Sequence, residues 1–163
     1  EGMSDYIYLC TMAKQLGVDL NRFAIIPSVG ATNCVNICAI LHGWGCKYIA
    51  LFDFDKQGVK FGGEHLHKEM FFDLGKQYCY VREVTQEEIN KKVYETNEFE
   101  IEDVVQRSEI TRFCTSTGTS TTLGKPLTAK LLCTAIENGS FTLNEQSIDN
   151  FKKLFGRIAG YFT

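Results

Sequence analysis

The chain has 163 residues, 44% hydrophobic and 23% charged, with a formal net charge of −3 at pH 7. That size suits one domain, or one domain with a small appendage, and the composition is that of a globular fold with a real core. No apolar run is long enough to span a membrane, no secretory signal is expected from the residue pattern, and the negative balance argues against simple electrostatic wrapping of nucleic acid.

Seven cysteines, an odd number, fall mostly inside apolar patterns (Cys10, Cys34, Cys38, Cys133). Buried, reduced thiols and a cytoplasmic location fit that placement best. There is no C-x-x-C, and His65 and His67, flanked by Glu64 and Glu69, read as a solvated helix face rather than a zinc site.

Taken in chain order, Ser4 caps an amphipathic helix with Tyr8, Met12 and Leu16 on one stripe, widened by Leu9 and Ala13 and ended by Gly17. Arg22 to Ile26 reads as a short strand, and Pro27 to Gly30 as the turn after it. A second helix is expected from Ala31 to His42, burying Val35, Cys38 and Ala39 and stopping at Gly43-Trp44-Gly45. Tyr48 to Phe52 has the composition of a strand buried on both faces. Beyond Gly58 and the Gly62-Gly63 pair, a helix through Leu66, Met70 and Phe71 is closed by Gly75, and Tyr78 to Val84 forms the next strand. This alternation predicts an α/β fold with a parallel sheet covered by helices.

From Thr85 the pattern changes. Charged helical residues from Gln86 to Tyr94 lead to a second acid cluster, Glu100, Glu102 and Asp103, mixed with Phe99 and Ile101. Thr115 to Thr122 is a Ser/Thr-rich stretch expected to form a mobile loop. Lys125 and Pro126 open a helix through Leu127, Leu131, Leu132 and Ala135 that ends near Gly139. A last helix, Glu145 to Phe155, buries Ile148, Phe151, Leu154 and Phe155.

The chemistry concentrates at Asp53 and Asp55, where the apolar run stops. Ligands in open α/β sheets bind at the carboxyl ends of the strands. Alternation along an extended backbone sends both acids to one side and Phe54 to the other. Two carboxylates so close repel unless a cation or proton intervenes, and carboxylate oxygen suits a hard divalent metal. The competing reading of such acids is a helix cap or turn.

The order Glu1-Gly2, Ser4-Asp5 at a helix start, a strand, the turn SVGATN, then a strand ending in DFDKQG resembles the Toprim domain over roughly the first sixty residues. Toprim domains are the metal-binding catalytic modules of topoisomerases, primases and several nucleases. With the downstream acids and the KPLTAKLL helix, the chain looks most like the nuclease domain of the OLD (overcoming lysogenisation defect) family, including Gabija-type defence nucleases.

The resemblance implies a Rossmann-like Toprim fold, with a mostly parallel central sheet flanked by helices and a small helical C-terminal extension. It divides the chain into a catalytic core, 1–113, and a loop with helical extension, 114–163. The family's first glutamate matches Glu1 and its following acid Asp5. The D-x-D pair matches Asp53 and Asp55, and the later acids fall on Glu100 and Glu102, with Asp103 as the alternative. The family's lysine matches Lys125, and Ser28 and Gly30 occupy the small-residue turn beside the site.

In this reading Glu1, Asp53, Asp55 and Lys125 are catalytic, and Glu1, Asp5, Asp53, Asp55, Glu100 and Glu102 hold Mg²⁺ or Mn²⁺, two ions in all. The implied function is a metal-dependent DNA endonuclease with an ATPase domain fused upstream, open to homo-oligomer formation and with no membrane partner. The family carries an apolar strand before its glutamate where this sequence begins, so Glu1 is expected to fray and these 163 residues alone to cleave weakly. Against this stand a non-catalytic Toprim-like assembly domain for an ATPase and a haloacid-dehalogenase-like phosphotransferase. The latter family follows its second Asp with Gly-Thr, where this chain has Lys56-Gln57. The bland readings make Asp5 a helix-terminal charge, Glu100 and Glu102 a solvated strand face, and Lys125 an exposed lysine.

Overall fold

The computed structural model describes residues 1–19, 23–62 and 77–162. Among these the chain is mixed α/β, with two short parallel strands and a majority of helix. It divides into two compact units: residues 1–2, 27–100 and 156–163 form the first, and residues 3–26 and 101–155 the second.

Helix α1 (Met3–Gln15) belongs to the second unit, and the elements of the first begin with α2 (Ala31–Gly43), which buries Ala31, Cys34, Val35 and Cys38 at the three- and four-residue spacing of one helix face. Strand β1 (Ala50–Phe52) follows, with Ala50 and Phe52 buried. A four-residue helix, α3 (Lys56–Val59), turns back directly after it. Strand β2 (Tyr78–Tyr80) runs parallel to β1, with Ala50 opposite Tyr78, Leu51 opposite Cys79 and Phe52 opposite Tyr80. Bonds from Ala50 N to Gln77 O (2.8 Å) and from Val81 N to Phe52 O (2.9 Å) extend that ladder at both ends. Helix α4 (Gln86–Asn90) starts with a reciprocal cap, in which the Thr85 side chain accepts from Glu88 N and the Glu88 side chain accepts from Thr85 N. The core of this unit gathers Val35 and Cys38 of α2 against Phe52, Phe54, Val59 and Tyr80.

The second unit is helical. Helix α1 (Met3–Gln15) buries Tyr8, Leu9, Met12 and Ala13 and packs against α7 (Lys125–Glu137). Between them in sequence lie α5 (Ile101–Val105) and α6 (Arg107–Thr117), and α8 (Glu145–Gly160) follows. Gly17 and Gly139 take positive φ (67° and 76°) just past the ends of α1 and α7, a conformation that side chains with a Cβ resist. Buried Glu109 accepts from Arg112 and from Asn144 N at 2.9 Å, and the arginine beside it holds its carboxyl below the usual range. Buried Ser147 donates to Val105 O at 2.6 Å.

Several expectations need correction. Ser4 is not a cap but a buried residue inside the first turn of α1. Residues 23–26 carry no strand, and Ile26 is 53% exposed, so this apolar run gains no burial from pairing. Residues 115–117 complete the last turn of α6 rather than opening a loop, because their hydroxyls can satisfy carbonyls one turn back, as Ser116 and Thr117 do with Phe113 O. The tail after Phe155 continues α8 to Gly160, and Arg157 donates to Val81 O at 2.9 Å. The expected helix through Leu66, Met70 and Phe71, like His65 and His67, lies outside the described residues.

All seven cysteines are free thiols, with Cys34, Cys38, Cys79, Cys114 and Cys133 buried, Cys10 half-buried and Cys46 exposed. Burial pushes the Cys79 and Cys133 thiols up to about 11. A thiol reagent at neutral pH attacks the exposed thiolate first. One rapid equivalent is therefore expected from native protein, assigned to Cys46 by its loss in Cys46→Ser, with the five buried thiols appearing only on unfolding. Rapid reaction of five or more thiols in native protein contradicts this packing.

Candidate functional site

The first unit builds an acidic edge where β1 ends. Phe54 is fully buried while Asp53 and Asp55 on either side are half-buried, the alternation expected of an extended chain. Phe54 then forms an antiparallel bridge with Phe99, through Phe54 N to Phe99 O (2.8 Å) and Phe99 N to Phe54 O (3.1 Å). Residues opposite in such a pairing share a face, so this register sets Glu100 across from Asp53.

Glu1 joins the same edge. Its backbone nitrogen donates to Leu51 O (3.1 Å), and its carbonyl accepts from Ser28 Oγ (2.8 Å) and Gly30 N (3.1 Å). These bonds tie the Glu1 backbone to β1 and to the turn at Ser28–Gly30. Its carboxylate Oε2 accepts from the backbone N of Asp53 at 3.4 Å, a long bond that brings the Glu1 side chain to the end of β1. Ser28 and Gly30, the small-residue turn, serve here as the clamp on Glu1.

Asp55 does what the competing reading of such acids assigns: it is the N-cap of α3, its Oδ1 accepting from Gly58 N at 2.6 Å. Capping occupies one oxygen and fixes the direction of the carboxylate. Gly58 is pressed against the Asp53 carbonyl so closely that a Cβ there would lie 2.0 Å from Asp53 O.

The second unit holds the other predicted residues. Asp5 is buried in the first turn of α1, where a negative charge complements the helix dipole. Glu102 lies in α5, not on a strand, and is buried rather than solvated; Lys125 Nζ stands 3.8 Å from its Oε2. Both line a cavity of about 240 Å³ together with Tyr8 and Thr128. The Tyr8 hydroxyl is pushed up by burial first and by the Glu102 charge second. Asp103 is committed elsewhere, since Arg107 grips it with two bonds of 2.6 and 3.1 Å. Of the two alternatives, Glu102 is the one that faces the lysine.

The acids of this edge, Glu1 and Asp53, are hard oxygen ligands of the kind that suits Mg²⁺ or Mn²⁺ and not a soft metal. Among the described residues no group of three or more His, Cys, Asp or Glu side chains forms a ready metal cage. Mg²⁺ does not require one, because it keeps several waters and is commonly held by one or two carboxylates plus substrate phosphate.

Arg82 and Glu88 are functional candidates that the residue patterns did not single out. Arg82 follows β2, and its guanidinium lies 4.4 Å from the Phe54 ring centre and bonds Glu88 at 2.8 Å. A signal was there to read, since Thr85-x-x-Glu88 is the capping-box pattern. Comparison of the chain with models of protein families, with curated proteins and with solved structures finds no match.

Proposed function

We propose that this chain is a Toprim-type catalytic module of the OLD kind, with the Rossmann-like sheet of that fold, acting as a metal-dependent DNA endonuclease. The observation that supports it most is the Glu1 carboxylate reaching the main chain of Asp53 at the carboxyl end of β1, beside the Phe54–Phe99 bridge that leads to Glu100. Its substrate is DNA and its partner an upstream ATPase domain; self-association belongs to the same reading.

Glu1, Asp53 and Asp55 would hold Mg²⁺ or Mn²⁺, with Glu100 as a further acid of the same unit; Asp5 and Glu102, in the second unit, are acids that the resemblance alone assigns. When bound, such ions lower the pKa of attacking water and neutralise charge on the phosphate and leaving oxygen. The chain's own part is to aim the carboxylates. The Ser28 turn fixes the Glu1 backbone, α3 directs Asp55 through its cap, and the bridge to Phe99 fixes the backbone between the two aspartates. Lys125, half-exposed beside Glu102 in the second unit, is the residue that the resemblance assigns to the charge developing on phosphate oxygens.

The test is nicking of supercoiled plasmid with Mg²⁺ or Mn²⁺ and with chelator, by the chain alone and by the chain joined to an upstream apolar strand and ATPase domain. Metal-dependent nicking, stronger for the joined protein, is expected. No nicking by the joined protein, or nicking that survives chelation, overturns the reading.

Lys125→Ala separates transition-state stabilisation from metal binding. It should lower kcat by on the order of 10²–10³, the loss found when one electrostatic stabiliser is removed, and leave Mn²⁺ affinity nearly unchanged by calorimetry. Normal kcat at saturating metal excludes this role.

A further inference from the structure

Phe54 separates the two aspartates, and whatever holds its ring and backbone also sets their directions. Tyr80 and Tyr94 meet the ring edge-on, with centroids at 5.5 and 5.9 Å. The Arg82 guanidinium lies over it at 4.4 Å and also stands 5.8 Å from the ring centre of Phe99. One cation therefore touches both residues whose backbones form the bridge that sets Glu100 across from Asp53.

That cation is itself steered. Arg82 donates one nitrogen to Glu83 O (2.7 Å) and another to Glu88 Oε1 (2.8 Å). The other Glu88 oxygen accepts from Thr85 N (2.8 Å) and Thr85 Oγ1 (3.1 Å), so the carboxylate is locked from both sides. The bond from Arg82, followed by that from the Thr85 backbone, holds the Glu88 carboxyl down at about 2. A planar guanidinium can stack and donate in its own plane at once, which a lysine ammonium cannot.

We infer that Arg82 is a positioning residue: oriented by Glu88, it clamps Phe54 and Phe99 and so fixes the backbone that aims Asp53, Asp55 and Glu100 at a divalent cation. The inference rests on the metal reading above, but its clamp can be measured without metal.

The experiment compares wild type with Arg82→Met, Arg82→Lys and Glu88→Gln. Amide hydrogen exchange of Phe54 and Phe99, whose N–H groups make the bridge, should speed up at least tenfold in Arg82→Met relative to the Val81 amide of the β1–β2 ladder. Mn²⁺ affinity by calorimetry should fall roughly 10- to 100-fold, as when an outer-shell partner of a metal ligand is lost, while KM for DNA stays unchanged. Arg82→Lys should not rescue either quantity. Glu88→Gln keeps an acceptor for the Thr85 cap while releasing Arg82, so it carries the same test with the helix start intact, and a smaller loss is expected. Wild-type exchange at Phe54 and Phe99 in both Arg82→Met and Glu88→Gln overturns the inference. So does rescue of both quantities by Arg82→Lys. A wild-type protein that takes up no Mn²⁺ counts against the metal reading alone, and the exchange rates then decide the clamp.

Discussion

Asp53→Ala is expected to abolish metal-dependent nicking while the chain stays folded. The side chain is half-buried at the end of β1 and fills no part of the core, where Phe52 and Phe54 on either side are fully buried. Its backbone contacts survive the change, because Asp53 N and the carbonyl beside Gly58 belong to the main chain. The carboxylates of Glu1 and Asp55 then lose a like charge, so the metal-free melting temperature should hold or rise. Mn²⁺ affinity should fall by more than about 100-fold, since disturbing even an outer-shell partner of a metal ligand reaches that figure. Calorimetry with Mn²⁺, a thermal melt in chelator and plasmid nicking are the three measurements. Nicking at the wild-type rate by the folded variant removes Asp53 from the site.

Periodicity made α1, α2 and α7 legible. Each pairs an apolar stripe with a boundary signal that has one physical meaning: a stop at Gly17 or at the Gly43-Trp44-Gly45 break, a start at Pro126. The stripe on α7 was less secure in detail, since Leu127 and Leu131 are exposed while Thr128 and Ala129 are buried. The helix has two apolar sides, and composition alone cannot choose which one packs on α1. The parallel pairing of β1 with β2 followed from the alternation of elements, whereas residues 23–26 had a strand's composition without its pairing. Strand character is a property of neighbours more than of residues.

The same distinction governs the site. Asp53 and Asp55 were readable because an apolar run ends on them, and the cap made by Asp55 was the alternative already attached to such acids. The competing reading of Glu102 as a strand face drew on the alternation of apolar and acidic residues from Phe99 to Asp103. The chain instead enters α5 at Ile101, where Glu102 and Asp103 in the first turn complement the helix dipole. That Glu100 belongs to the unit of Asp53, and Glu102 to the unit of Asp5 and Lys125, follows from through-space contacts that spacing does not encode. Arg82 was hidden for the same reason: its partners Phe54, Glu88 and Phe99 come from three separate segments.

Gly58→Ala should damage both stability and metal binding, and so differ from Asp53→Ala in a measurable way. The glycine is required for space rather than for an unusual φ. A Cβ at this position would lie 2.0 Å from Asp53 O, 3.1 Å from Asp53 C and 3.2 Å from Phe52 Cβ. The first two of these atoms are backbone, which cannot swing aside as the end of a long side chain can. Either α3 lifts away from the end of β1, which breaks the bond from Gly58 N to Asp55 Oδ1, or the Asp53 peptide rotates and re-aims its carboxylate. Forcing extra atoms into a packed site costs about 1–3 kcal/mol, and contact with backbone puts this case at the upper end of that range or above it. A domain of this size loses roughly 2–4 °C of melting temperature per kcal/mol, so a fall on the order of 5–12 °C is expected. Because both routes displace an aspartate, Mn²⁺ affinity should drop in the same variant at temperatures where it remains folded. Asp53→Ala loses metal and keeps its melting temperature; Gly58→Ala loses both. A Gly58→Ala protein with wild-type melting temperature and wild-type Mn²⁺ affinity shows that α3 is not seated against Asp53, and removes the cap geometry from the site.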